Sequence, residues 1–200
     1  MTIPIFHYDS AARRYSTDKG RILSQKEVRQ ALDTVLEKSA SRMEKLTKDF
    51  VSNKDYSQWA ASMIDEIRTV NTQAFALANG GIKNLSPSDL GRLGNQTKEQ
   101  LKIFRELSLD IKNERTVVDN RLPVWARLYA ATRTFDYENE RTRGDKSAGM
   151  AEGMRVLGGS KTPCETCPPK ADKWLPIEHE DLVLGDDSCS VGCNCSVITR

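Results

Sequence analysis

From Val28 onward the apolar residues recur at helical spacing, and that period leaves little room for another fold class. Val28, Leu32, Val35, Leu36, Ser39, Met43, Leu46 and Phe50 fall on one face, with Lys and Glu filling much of the other. Ser24 followed by Glu27 is a capping box, and Leu23 with Val28 forms a hydrophobic staple around it. A second run follows Asp55, with Trp59, Met63, Ile67, Val70, Ala74 and Leu77 on one side and Gly80-Gly81 as its stop. The short connection predicts two antiparallel helices.

Ser86-Pro87-Ser88-Asp89 reads as a further helix start, weakened by Gly91 and Gly94, with a stronger helix from about Thr97. A fourth long element holds Leu122, Trp125, Leu128, Tyr129 and Phe135. Gly144-Asp145 interrupts it, and a short helix over 147–157 closes the body. The expected fold class is therefore mainly α: an antiparallel helical body over 23–158. Residues 1–22 precede it as an extended N-terminal arm, in which Phe6, Tyr8 and Tyr15 are the anchors.

Residues 159–200 change character. They hold all five cysteines and four of the seven prolines, so a small, irregular cysteine-rich lobe is expected there. The pattern is Cys164-x2-Cys167 and, one loop later, Cys189-x3-Cys193-x-Cys195. A CxxC pair brings two thiolates to one tetrahedral zinc, and the second cluster can complete the set. Structural zinc is the favoured reading for Cys164, Cys167, Cys189, Cys193 and Cys195, with disulfides and with unliganded or mixed-use thiols as the rivals. Five is odd, so a four-ligand site leaves one spare, and the spacing does not choose it. His179 can serve as a ligand, although a loop histidine is the plainer reading. Metal binding would supply the folding energy that a small lobe lacks.

Composition narrows the function classes. No stretch reaches the length of a membrane span, and the chain opens without the order of a secretory signal, so a cytosolic origin is expected. Catalysis is not expected. The two histidines, His7 and His179, lie far apart, and neither a glycine-rich phosphate loop nor a nucleophile elbow occurs. The net charge of +2 is unevenly spread: the first 150 residues carry 25 bases and 20 acids, the last fifty 5 bases and 8 acids. Trp174 is the one aromatic residue there, which speaks against a nucleic-acid-binding zinc module.

The stretch RLPVWARLYAATRTFDYENE (121–140), with Arg121, Arg127, Tyr129 and Arg133, is followed by the Cys164/Cys167 pair. The loop LPIEHEDLVLGDDSC (175–189) comes next, then the ending GCNCSV (192–197). In that order these pieces resemble the minor head, or head morphogenesis, proteins of tailed bacteriophages, the group related to the phage Mu head protein F. The resemblance covers roughly 95–200. It implies a non-catalytic structural role in head assembly or head–tail joining, at low copy or at the portal vertex. The protein would be made in the host cytoplasm and reside in the virion. Its partners would be portal, major capsid or neck proteins, with homo-oligomerisation and loose contact between the mildly basic body and packaged DNA as further expectations. An adaptor or neck ring beneath the portal is the alternative. One departure stands out. Many relatives carry His-Pro just before the Cys-x-Cys, where this chain has Ser190-Val191, and Cys189 can take over the histidine's role.

Overall fold

The computed structural model describes residues 6–9, 12, 14–158, 166–185 and 195–200. The chain is mainly helical with a short C-terminal strand region. Its elements are β1 (Phe6–Asp9), β2 (Arg14–Thr17), β3 (Ile22–Leu23), α1 (Gln25–Asn53), α2 (Tyr56–Ala78), α3 (Pro87–Lys112), α4 (Arg121–Ala131), α5 (Arg133–Ser147), β4 (Glu152–Val156), β5 (Trp174–Pro176) and β6 (Ser196–Thr199). Short 3-10 turns cover Ile82–Asn84, Pro168–Lys170 and Glu180–Leu182.

The α1 start follows its sequence signal. The Ser24 hydroxyl accepts from the Glu27 amide at 3.2 Å, and the Ser24 amide donates back to Glu27 Oε2 at 2.8 Å. The Ser24 amide, Arg21 on Oε1 at 2.6 Å, and the Ser24 hydroxyl donating to Oε2 at 2.9 Å hold the Glu27 carboxyl down to about 2. Lys54 turns the chain in the left-handed region (φ 59°), and Asp55 caps α2 through the Gln58 amide at 3.0 Å. Trp59 locks the corner. Its ring stacks on Phe50 with centroids 4.6 Å apart and tilts against Phe104 of α3 at 5.4 Å, while its indole N–H donates to Thr47. Val28, Leu32, Met43, Met63, Ile67 and Val70 are fully buried in the same core. Each buried side chain of this kind contributes roughly 1.5–3 kcal/mol. Ser39, on the apolar face of α1, is buried because it donates to Glu66 of α2 at 2.6 Å.

Four elements differ from the sequence expectation. The arm is not merely extended: β1, β2 and β3 form an antiparallel sheet, and the Tyr15 hydroxyl donates to the Ala78 carbonyl at the end of α2, 3.2 Å away. The side chains of Phe6 and Tyr8 lie outside the described set. Gly91 and Gly94 do not break α3, which is one continuous helix from Pro87; both face open space and cost only propensity. The fourth element is two helices, divided at Thr132, whose hydroxyl bonds back to the Tyr129 carbonyl at 2.7 Å. Gly144-Asp145 sits inside α5.

The fourth difference is the largest. Residues 152–156, expected as helix, are β4, the central strand of a sheet ordered β5–β4–β6. Gly149 (φ 93°) ends the helical path, and burial then alternates residue by residue, with Gly153 and Arg155 inward. Gly153 lets the strand approach Leu182 closely: a Cβ there would stand 2.7 Å from Leu182 Cδ1, so the leucine would have to shift. The cysteine-rich end is thus built on a three-stranded sheet whose central strand comes from before the first cysteine.

Candidate metal centre

The C-terminal sheet packs its inner face on α5. Phe135, Cys167, Leu182, Leu184, Cys195 and Val197 form one buried cluster, with Leu157 and Leu175 packed against it. Cys167 is wholly buried at the start of the Pro168–Lys170 turn, and Cys195 is buried immediately before β6. Cys167 and Cys195 therefore belong to one buried cluster, although the chain places them far apart. Cys164, Cys189 and Cys193 lie outside the described residues. Among the described residues, no group of three or more His, Cys, Asp or Glu side chains converges.

Arg155 of β4 extends into this cluster with no exposed surface. Its Nη1 donates to Cys167 Sγ at 3.6 Å and its Nη2 to the Val183 carbonyl at 2.7 Å. A guanidinium donating to sulfur, in an apolar shell, is chemistry that suits a thiolate. Zinc fits this donor type: it takes Cys sulfur in closed structural sites, and such ligands are steadied by hydrogen bonds from surrounding groups. His179 is placed otherwise. It caps the Glu180–Leu182 turn, its Nδ1 accepting from the Asp181 amide at 3.2 Å. The adjoining turns are joined by Lys170 and Asp181 at 3.5 Å.

The lobe is fastened to the body through α5. Asn139 bonds both backbone groups of Leu184, and Gly185 (φ 80°) lies so close that a Cβ would stand 2.8 Å from the Phe135 ring. Arg141 donates to the Val197 carbonyl and pairs with Glu138 at 3.2 Å and Asp145 at 3.0 Å. Burial works against the Arg141 charge, but Glu138 and Asp145 outweigh it and hold its pKa above the ordinary value. Asp145 also accepts from the Thr199 hydroxyl at 2.7 Å, and Glu138 pairs with Arg29 of α1 at 2.5 Å. A chain of charges thus joins α1, α5 and β6.

The arginines and Tyr129 of 121–140, spread over α4 and α5, make contacts within the chain. Arg121 pairs with Asp119 at 2.8 Å, and Arg127 bridges to Glu37 at 2.7 Å and Glu44 at 3.3 Å on α1. Tyr129 is buried and donates to Gln100 at 2.9 Å, and burial pushes its phenol up to about 12. Arg133 lies over the Tyr129 ring at 4.9 Å and pairs with Asp136 at 2.7 Å. Arg155, Asn139 and Arg141 were not among the residues singled out in the sequence. The available signal for Arg155 was a lone cation inside Gly-Met-Arg-Val-Leu, opposite Met154 and Val156 in a period of two. No protein-family model, no curated protein and no solved structure matches the chain.

Proposed function

We propose that this chain is a structural, non-catalytic component of a tailed-phage virion, a minor head or portal-vertex protein acting in head assembly or head–tail joining. Its C-terminal lobe is held by one zinc ion. Cys167 and Cys195 are two of the ligands, and the other two come from Cys164, Cys189 and Cys193. The observation that carries the zinc assignment is the burial of Cys167 and Cys195 in one cluster beside the Arg155 guanidinium. The virion assignment rests on the ordered resemblance over 95–200. Zinc here supplies folding energy to the lobe, since tying the two cysteine clusters together fixes two chain segments at once.

Native mass spectrometry of the purified protein, repeated in acid, tests both parts. One zinc mass per chain, lost on denaturation, supports the clamp; a metal-free chain lighter by two or four hydrogens replaces it with disulfides. Co-purification with portal, major capsid or neck proteins supports the virion role. A closed homo-oligomeric ring moves the reading to an adaptor or neck subunit.

A further inference from the structure

We propose that Arg155 is the positioning residue of the cysteine centre: a buried guanidinium that holds the Cys167 sulfur against the backbone at Val183 and offsets the negative charge of the metal-bound thiolates. This inference rests on the zinc reading above.

Among the described residues Arg155 is the largest side chain to be completely buried. It stands on the central strand of the C-terminal sheet, opposite Val197 of β6 in register, and bridges Ala171 on its other side. Its carbonyl accepts from the Asp172 amide at 3.0 Å. One residue therefore meets three segments: the strand after Cys195, the turn after Cys167, and the loop at Val183. Its side chain adds what an apolar residue could not, since one fork reaches sulfur at 3.6 Å and a carbonyl at 2.7 Å. Burial of a guanidinium is costly unless charge and hydrogen bonds compensate it. Three or four thiolates around one divalent cation leave net negative charge, so the cation and the centre compensate each other. A lysine could supply the charge but not the planar fork.

The test compares the full chain with Arg155→Met, Arg155→Lys and Arg133→Met. The last removes another buried arginine, one that lies on Tyr129 in the helical body. Zinc transfer to a chromogenic chelator is timed, and each protein is also loaded with Co2+ to record sulfur-to-metal charge transfer and ligand-field absorption. Arg155→Met is expected to lose zinc about 10- to 100-fold faster, the range seen when a ligand's supporting partner is removed. Arg155→Lys should fall between it and the parent. In both, the charge-transfer intensity per Co2+ is retained while the ligand-field bands shift; Arg133→Met should match the parent. Parent-like release from Arg155→Met, or equal acceleration in Arg133→Met, would overturn the role of Arg155 while leaving the zinc site standing. If Arg155→Met does not fold, Arg155→Lys decides alone: parent-like release and bands overturn the role. A parent chain that holds no zinc removes the metal centre itself, and this role with it.

Discussion

Asn139 and Leu184 exchange two hydrogen bonds: the side-chain amide donates to the Leu184 carbonyl at 2.8 Å, and the Leu184 amide donates to Oδ1 at 2.9 Å. A helical side chain thereby takes the place of a neighbouring strand for a loop that has none. Asn139→Ala should leave both backbone groups unmet beneath the lobe, at about 1–3 kcal/mol for such a loss. Amide exchange mapped along the chain is the check. Faster exchange over 182–185, with α1 and α2 unchanged, is the expected pattern, and uniform acceleration would contradict it.

If zinc holds the lobe as proposed, removing it should affect the two parts of the molecule differently. Among the described residues the helical core, from Tyr15 to Tyr137, contains no cysteine, whereas Cys167 and Cys195 lie in the cluster that includes Val197 of β6. Chelation is expected to leave far-UV helicity nearly intact while β4 and β6 lose exchange protection. Simultaneous loss of helix would show that the lobe also supports the body.

Phe104→Ala tests the Trp59 corner. Phe104 is almost completely buried and touches the ring that also stacks on Phe50. The truncation should cost about 3–5 kcal/mol in chemical denaturation and disturb Trp59 fluorescence. A loss under about 1 kcal/mol would mean that the corner repacks.

Glu27 sets an acid-sensitive contribution at the head of α1. Its folded-state pKa lies at about 2, below the ordinary 4.5, so the stabilisation is present above 4.5 and is lost as pH falls toward 2. Thermal melts across that window should be steeper in pH for the parent chain than for Glu27→Gln. Identical slopes would refute the assignment.

The body was readable because its signals are local. Ser24 with Glu27 and Ser86 with Asp89 closed the capping boxes that their spacing implied, and the apolar faces of α1 and α2 are the buried ones. The lobe was harder, since its decisive partners are distant in sequence. β4 resembles a helix end until Leu182 and Val197 are brought beside Gly153, and only then does the small residue there find its close neighbours. The cysteine spacing pointed to a shared site, and Cys167 and Cys195 do share one cluster; Cys164, Cys189 and Cys193 lie outside the described residues. Arg155, the residue between the strands, has no meaning in the sequence without the sulfur that it meets.

The α1–α5–β6 charge chain also describes a path for force. Tension applied at the C-terminal strand loads its ladder with β4 and the Arg200–Glu152 pair, and in parallel it loads Asp145 through Thr199 and Arg141 through the Val197 carbonyl, then Glu138 and Arg29 of α1. Part of any pull on the strand is therefore shared with α1. A protein pulled at its C-terminal end would transmit that pull into its helical body, as an anchor does, and would not shed the lobe as a tether would.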